Sequence, residues 1–416
     1  MSVRALIAGT VIAGAVLASI VAIALSPGQP TETASATQKP TASTSPSPTS
    51  TPAPAPVVVQ GVKVDPLGDV RGEYVFATRD VPGDGPPTSE LWAIPLSDGT
   101  RAQAVVRYRG HTMPWLAGKI SPDGRRFAVP ADRGDGVTRI LIVSLIDGAL
   151  AWLKTDDTKD SDTQPVWDPS GKQIAFVRAG AANQWSLWAV SADGSALRRI
   201  TDPVALPMYL HTWTADGGAI AFYQGIGYDV ISLANGARSH ASDLISADAS
   251  WRAASPALLA TVSTSINFGS RYQVVLAAAP DGPRTVIAET AAPGLSLGGP
   301  RWRPGRDEFL YSFGDAATST HELRVRSLSG AERRFAFDGG SPAWTTDGSA
   351  IVYLRGETAP FPGEGGSTQQ ALVLAEIRVI GADGGGDRTL YRTPAPAGAL
   401  PPNWCVCNDA LAVRKL

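Results

Sequence analysis

Apolar and polar positions alternate along this chain in two kinds of short segment that repeat. The first kind, seen at 167–178 as WDPSGKQIAFVR, has an anchor residue, a turn of Pro, Ser and Gly, and then an apolar run of β-forming residues. The second kind, seen at 187–194 as LWAVSADG, has an apolar run that stops at an Asp-Gly turn. Both patterns are typical of β-hairpins. They predict a chain built from paired strands rather than helices.

Each hairpin occurs seven times. The anchors of the first kind are Ile120, Trp167, Trp213, Trp251, Trp302, Trp344 and Trp404. The turns of the second kind are Asp98, Asp147, Asp193, Asn235, Asp281, Ser329 and Asp383, each followed by glycine. Four strands in every repeat of roughly 40 to 60 residues are the pattern of β-propeller blades. We therefore predict an all-β fold, a β-propeller of four-stranded blades.

The order of the two series predicts how the ring closes. The Asp98 turn precedes the first anchor, and the last anchor, Trp404, has no second hairpin after it. The segment 404–414 is therefore expected to join the strands of 91–106 in one blade, which removes the exposed edges of an open array. This count favours seven blades. A strand at 73–77 competes with 410–413 for one slot, so six or eight blades are the alternatives.

The hairpin consensus, Trp-x-Pro-Asp-Gly-x-x-Ile-Ala-Phe followed by Leu-Trp-x-x-x-x-Asp-Gly, resembles the repeat of TolB and its exported relatives. The resemblance spans roughly residues 70 to 415. It implies the propeller fold, and it implies either a partner-binding platform or an appendage to a peptidase, because the family contains both. It also implies a structural role for an Asp a few residues before the Trp, a place that Asp162 occupies.

The N-terminal end has a different composition. Residues 5–25 form an uncharged apolar run, and at 1.5 Å per residue about 21 residues cover roughly the 30 Å of a bilayer core. Arg4 precedes this run and no basic residue follows until Lys39, which predicts a cytoplasmic N-terminus. We favour a single-pass membrane anchor at 1–25, with the remainder extracytoplasmic. The alternative is a signal peptide cleaved near Ala24, which leaves a secreted protein.

Residues 26–60 are rich in Pro, Thr, Ser and Ala and are predicted to form a disordered stalk before a propeller domain at 61–416. The formal net charge of −2 offers no basic surface for nucleic acid. The two cysteines, Cys405 and Cys407, exclude a disulfide framework and are expected to be buried or idle thiols; the alternatives are a strained local disulfide and an intermolecular bridge. We predict no metal and no cofactor.

Two motifs suggest chemistry that the surrounding sequence does not support. Residues 294–298 match Gly-x-Ser-x-Gly around Ser296, but a nucleophile elbow needs a strand before it and a helix after it. We interpret the match as an incidental loop between blades. The acidic residues of 156–162 could offer oxygen ligands to calcium, but the stretch lacks the glycine of a calcium loop and contains Lys159. We predict a solvated inter-blade loop there.

The residues that begin the innermost strands are expected to surround the central channel. This predicted rim comprises His111, Gln164, Tyr209, His211, Asp248, Arg301 and Asn403. Mixed polar and aromatic residues suit recognition of a peptide, a glycan or a protein loop. A solvent-lined channel without a ligand is the alternative.

The leading hypothesis is an extracytoplasmic, membrane-tethered binding or scaffold module for another envelope or secreted protein, a peptide or a cell-envelope polymer. It involves no catalytic residues. The alternative is a propeller enzyme, a hydrolase or lyase acting on a glycan or peptide in the channel.

Overall fold

The computed structural model describes residues 58–81, 88–109, 119–156, 158–225, 227–244, 249–252, 257–266, 269–290, 294–318, 320–336, 339–362, 368–393, 403–404 and 411–416. The predicted anchor at 5–25, most of the predicted stalk, and Cys405 and Cys407 lie outside these residues. Within them, no helix has the length and apolar character that a membrane crossing requires.

The described strands form seven antiparallel sheets, which confirms the prediction of a seven-bladed, all-β propeller. Blade I contains β1 (Val62–Val64), β2 (Glu73–Val81), β3 (Thr88–Pro95) and β4 (Gln103–Arg109); blade II contains β5 (Arg126–Asp132), β6 (Thr138–Ser144) and β7 (Leu150–Trp152). Blade III contains β8 (Ser161–Trp167), β9 (Gln173–Gly180), β10 (Gln184–Ser191) and β11 (Arg198–Arg199). Blade IV contains β12 (Met208–Trp213), β13 (Ala219–Gln224), β14 (Gly227–Ser232) and β15 (Arg238–Ala241).

The remaining blades follow the same order. Blade V contains β16 (Ala249–Trp251), β17 (Leu258–Ile266), β18 (Gly269–Ala277) and β19 (Arg284–Glu289). Blade VI contains β20 (Leu295–Trp302), β21 (Glu308–Asp315), β22 (Thr320–Ser327) and β23 (Glu332–Ala336). Blade VII contains β24 (Gly339–Trp344), β25 (Ala350–Pro362), β26 (Thr368–Gly381) and β27 (Arg388–Arg392), and the chain ends with β28 (Asn403–Trp404) and β29 (Leu411–Lys415). Two short 3₁₀ helices lie at Gly99–Arg101 and Ala181–Asn183.

The C-terminal strands close the ring in blade I, as predicted, but in a different slot. Both β28 and β29 pair with β2, so β2 is the second strand of the blade and the C-terminal segment is the innermost one. Because a short connection joins β2 to β3, these two strands pair with each other, and β2 occupies the position beside β3. This settles the competition between 73–77 and 410–413.

Trp404 is not an anchor. In the other blades the anchor pairs with the first apolar residue of the second strand, as Trp167 does with Ile174. In blade I the residue in that register is Arg414, which pairs with Tyr74, whereas Trp404 pairs with Arg79. The assignment of Trp404 as an anchor was wrong because it rested on the residue type alone, and a tryptophan in the sequence does not determine which residue it pairs with. The Arg414 guanidinium also donates to the Ser121 carbonyl of blade II at 3.3 Å.

The connections fall at two ends of the propeller. Because the strands are antiparallel, the turns after the first and third strands of a blade share one end, which we call the turn end. The loops after the second strand and the connections between blades share the other, which we call the loop end. First strands of neighbouring blades contact one another, for example β8 with β12 and β20 with β24, and they surround the channel.

At the turn end the predicted turn residues satisfy the local backbone. A side-chain oxygen accepts the N–H two residues ahead in the turns of Asp98, Asp147, Asp193, Asn235 and Asp383. After the anchors, the hydroxyls of Ser121, Thr214 and Thr345 accept the N–H five residues ahead. These turns need a left-handed residue, which is Gly217 (φ 71°) in blade IV and Gly348 (φ 68°) in blade VII.

Three anchor tryptophans join their blades to the blade before them. Indole N–H groups of Trp167, Trp213 and Trp344 donate to the carbonyls of Lys119, Val166 and Arg301, at 3.1, 3.0 and 3.1 Å respectively. Each accepting residue directly precedes the anchor of the previous blade. The three indoles are at least nine-tenths buried in the apolar layers between sheets. The repeated tryptophans therefore build the ring.

Candidate ligand-binding site at the loop end

The structure brings together only part of the predicted rim. His111 and Asp248 lie outside the described residues, and Asn403 is described by its backbone alone, which pairs with Asp80. Gln164, Tyr209 and His211 come together on blades III and IV, whereas Arg301 lies on blade VI.

The innermost strands bulge two or three residues before the anchor, on its loop-end side. The register shifts between Thr163 and Val166 in blade III and between Gly298 and Arg301 in blade VI, and blades IV and VII shift at similar places. In blades III, VI and VII a left-handed residue precedes a proline at the bulge; these pairs are Gln164-Pro165, Gly299-Pro300 and Ser341-Pro342, with φ of 52°, 60° and 51°. A bulge leaves a residue outside the ladder and tolerates proline. These positions lie on the innermost strands of their blades.

Gln164 fastens two innermost strands together. Its amide oxygen accepts the Leu210 N–H at 2.8 Å, and its amide nitrogen donates to the Met208 carbonyl at 3.2 Å. Tyr209 lies between those two residues and is 44% exposed although it is on an innermost strand. Gln164 therefore positions Tyr209, and its own polar atoms are engaged by the main chain.

His211 is the extra residue of the blade IV bulge and lies in an aromatic cluster. Its ring contacts those of Tyr223 and Tyr228 edge-on, with centroids 5.9 and 5.7 Å away. Its Nδ1 is 3.1 Å from the Tyr228 hydroxyl, which also accepts the Trp251 indole N–H at 3.3 Å. Tyr223 pairs across the strands with Tyr209. We call Tyr209, His211, Tyr223 and Tyr228 the aromatic wall.

Sequence reasoning missed Tyr223 and Tyr228. Tyr223 directly follows the strand Ile220-Ala221-Phe222, which was assigned only to the blade core. The signal that could have found both residues was the pairing register: Tyr223 lies opposite Tyr209 on one side and Tyr228 on the other. Exposed Leu206 extends the apolar character of this region into the connection between blades III and IV.

Blades VI and VII present backbone where blades III and IV present side chains. Gly298 and Gly299 lie at the middle of β20, and Gly339 and Gly340 begin β24. A methyl group added at Gly299 or Gly340 would meet no atom within 4 Å. In a ring of seven, blade VII lies opposite blades III and IV. We call Gly298, Gly299, Gly339 and Gly340 the glycine wall. Of the aromatic wall, Tyr209 is exposed whereas Tyr228 is fully buried.

Arg301 lies at the base of the glycine wall. Its guanidinium donates to the Pro300 carbonyl at 2.9 Å, while its own carbonyl accepts the Trp344 indole. Lys119 of blade II, which sequence reasoning did not select, lies directly before its anchor. Burial lowers the pKa of its ammonium group to about 8, and no described carboxylate lies within 4.0 Å of it.

Asp156 and Asp162 of the acidic stretch at 156–162 belong to a structural ion-pair cluster. Asp162 is fully buried and accepts two hydrogen bonds from Arg178, at 2.7 and 3.1 Å. Arg139 lies 3.5 Å from the same carboxylate, and Arg178 also pairs with Asp156 at 2.6 Å. The prediction of a solvated loop was wrong for Asp162, whereas the structural role implied by the resemblance is confirmed. No group of three possible metal-ligating side chains occurs in the described residues.

Ser296 lies inside a strand rather than at a nucleophile elbow. It is the second residue of β20 and pairs with Gly314, and the strand continues to Trp302 with no helix following it. The segment is therefore not the loop that we predicted. The interpretation of the Gly-x-Ser-x-Gly match as incidental is consistent with this position, since the elbow needs a strand-to-helix turn.

Comparisons with known proteins give the fold. No protein-family model and no curated protein sequence matches the chain. Solved structures do match, with a TM-score of 0.42 and 17% identity to TolB from Acinetobacter baumannii, over 63% of each chain. The match therefore spans less than two thirds of that TolB. For putative TolB from Agrobacterium tumefaciens the TM-score is 0.39 and the identity 12%, over 83% of this chain and 99% of that one.

An oligogalacturonate lyase in complex with manganese is similar at a TM-score of 0.50 and 12% identity, over 78% of this chain and 86% of the lyase. Identities this low speak for the fold and not for the activity. The repeat motifs and the seven sheets lead to one conclusion: in its fold, this chain is a seven-bladed β-propeller, and its repeat motif resembles that of TolB.

Proposed function

We propose that this protein is an extracytoplasmic, membrane-tethered β-propeller that binds a protein, a peptide or a cell-envelope polymer at the loop-end mouth of its channel. In this proposal it is a binding module and not an enzyme. The apolar run at 5–25 supplies the tether, and the stalk carries the propeller away from the bilayer surface.

One observation carries the proposal: the aromatic wall is built and held, yet it keeps an open face. Gln164 fixes the main chain on both sides of Tyr209, and His211 is held by two tyrosines and a hydroxyl contact. Tyr209 nevertheless remains 44% exposed. Rigid aromatic side chains that are already ordered lose little conformational entropy on binding, which favours recognition.

The glycine wall supports the same proposal. Glycine lets another molecule approach the backbone closely, because there is no side chain to keep it away. A methyl group at Gly299 or Gly340 would meet no atom within 4 Å, so the backbone is accessible on that side. In this proposal an elongated ligand contacts aromatic side chains on one side and backbone on the other.

The experiment is affinity capture by the full-length chain from solubilised envelope material, followed by identification of what is retained. Wild type is compared with Tyr209→Ala and with Leu328→Ala. Leu328 is a matched control, because it is also an exposed apolar side chain, 39% exposed, but lies in a turn-end turn of blade VI.

A retained molecule that is lost with Tyr209→Ala and kept with Leu328→Ala is the expected result. If every retained molecule survives Tyr209→Ala, the aromatic wall is not the binding site. The enzyme alternative is tested by incubating the same preparations with oligosaccharides and peptides, where turnover that depends on the channel would replace the binding proposal.

A separate experiment tests on which side of the membrane the propeller lies. In intact cells, protease added outside should remove the propeller from the wild-type chain, while the first residues stay protected behind the membrane. A propeller that is cleaved only after the cells are opened would contradict the extracytoplasmic placement.

A further inference from the structure

The buried carboxylates on the strands of this propeller have arginine partners. Glu90 pairs with Arg79, Asp162 with Arg178, Asp229 with Arg238 and Glu376 with Arg378, at 2.9, 2.7, 2.7 and 3.1 Å. A buried charge that has no partner is costly, because it loses its hydration and gains nothing in return. Within the blades, charge is therefore compensated.

Lys119 and Arg414 differ from these groups. Lys119 directly precedes the anchor Ile120 of blade II, and Arg414 lies in β29, the innermost strand of blade I. Burial lowers the pKa of the Lys119 ammonium group to about 8 and also lowers the pKa of the Arg414 guanidinium. Among the described residues, no carboxylate lies within 4.0 Å of either group. Two cations are thus withdrawn from bulk water without a described counter-charge.

Both side chains are deep in the protein and yet keep part of their surface accessible. Lys119 and Arg414 are half-buried, although their surroundings desolvate the charges enough to lower both pKa values. A packed apolar layer would leave such a group no accessible surface. This combination is expected of a side chain beside a narrow internal space, and the innermost strands enclose one, the channel.

Arg414 brings its charge to the blade that carries Lys119. Its Nε donates to the Ser121 carbonyl at 3.3 Å, and its Nη1 donates to the Val413 carbonyl at 2.9 Å. Ser121 is two residues from Lys119, which is about 7 Å at most along an extended chain. A guanidinium has five N–H donors, so these two bonds leave donors for a ligand.

The equivalent positions of the other blades favour a ligand of negative charge. The residues directly before the anchors of blades II to VII include two cations and no carboxylate; they are Lys119, Val166, Thr212, Ser250, Arg301 and Ala343. They lie toward the turn end, because the turns directly follow the anchors. This level of the ring therefore carries positive charge.

The main chain at Lys119 is already fixed. Its carbonyl accepts the Ala128 N–H at 2.9 Å and the Trp167 indole N–H at 3.1 Å. A ligand at this position would therefore meet a cation whose backbone needs no further ordering, which favours binding.

We propose that Lys119 and Arg414 face the channel and together bind an oxyanion of a ligand, a carboxylate or a phosphate group. The oxyanion supplies the counter-charge that both cations lack, through charge-assisted hydrogen bonds. The site lies toward the turn end, so it is separate from the aromatic wall and independent of what that wall binds.

The test is calorimetric titration of the full-length chain in detergent with inorganic phosphate and with acetate, each in sodium chloride at constant ionic strength. Wild type should bind at least one of these anions at a saturable site, and the anion that binds identifies the group. Lys119→Met and Arg414→Gln should each raise the dissociation constant about tenfold or more, because each removes a charge-assisted hydrogen bond.

Three variants serve as controls. Lys172→Met removes an exposed lysine from the turn after Trp167 and should bind as wild type does. Arg414→Lys keeps the charge, so it separates loss of the site from any effect of Arg414→Gln on closure of the ring, and it should retain most of the binding. Tyr209→Ala should leave this titration unchanged.

A wild-type chain that binds neither anion at a saturable site overturns the proposal. Binding that is undiminished in Lys119→Met or in Arg414→Gln also overturns it, because the anion would then lie elsewhere.

Discussion

The two ends of this propeller differ in how far they repeat. At the turn end, blade after blade uses the same Asp, Ser, Thr and Gly positions, and each polar side chain bonds to its own turn. On the loop-end side of the anchors, the bulges of the innermost strands carry different residues, namely Gln164, His211, Gly299 and Ser341. The comparison teaches that repetition here encodes the blade, and that the departures from it mark where the blades can differ in function.

The largest effect should come from an anchor, which belongs to the repeated pattern. Trp213→Ala removes a buried indole and its bond to Val166, and we expect a loss of about 4 kcal/mol in the free energy of unfolding. Trp213→Phe keeps most of the packing and should lose about 1–2 kcal/mol. Denaturant unfolding measures both. Equal losses for the two variants would show that the indole hydrogen bond, not packing, decides.

Not all of the loop end is available for recognition, because it also contains the buried charge of Asp162. Asp162→Ala leaves Arg178 and Arg139 buried without this carboxylate and should cost about 3 kcal/mol. The Asp156 side chain, the other carboxylate partner of Arg178, is 44% exposed. Asp156→Ala should therefore cost less than about 1 kcal/mol. Similar losses for both would contradict the structural role of Asp162.

Lys119 gives a prediction with a pH signature. Burial lowers the pKa of its ammonium group from 10.5 to about 8, so the unfolded chain binds more protons between these values. Wild-type stability should therefore rise as the pH rises through that window, and Lys119→Met should lack this rise. Near neutral pH the variant should be more stable by about 1–2 kcal/mol. Parallel pH profiles in thermal unfolding would contradict the burial of the charge.

The smallest effect concerns a single repeated turn. Hydrogen bonds from the Thr214 hydroxyl and the Gly218 N–H lower the pKa of Asp216. A lowered pKa stabilises the fold above the carboxyl's ordinary value, and this contribution is lost as the pH falls through the folded-state pKa. Asp216→Asn should therefore flatten the acid side of the stability profile slightly. An unchanged acid limb would mean that the carboxylate contributes nothing.

Sequence reasoning reached the fold because the fold rests on the repeated residues. The Asp-Gly turns and the tryptophan anchors predicted the seven blades and the closing segment, since their roles are local and recur. The register of closure was not predictable in this way: Trp404 looked like an anchor, but Arg414 occupies that place because β2 takes the slot beside β3.

The candidate site was predicted only in outline, for a related reason. Tyr209 and His211 could be selected from their distance to Trp213, but the roles of Gln164 and Tyr228 depend on contacts between strands far apart in sequence. Such contacts follow from pairing register and from bulges, and a single sequence does not display either. The length of β25 and β26 in blade VII was missed because these strands continue a pattern that had already been assigned to the blade.

The most direct test of this account asks whether recognition can be removed from the loop end without disturbing the blade. Capture of a ligand by full-length Tyr209→Ala should fall at least about tenfold, while its free energy of unfolding stays within about 0.5 kcal/mol of wild type, since surface substitutions rarely change stability more. Undiminished capture by Tyr209→Ala would contradict the assignment of recognition to the aromatic wall.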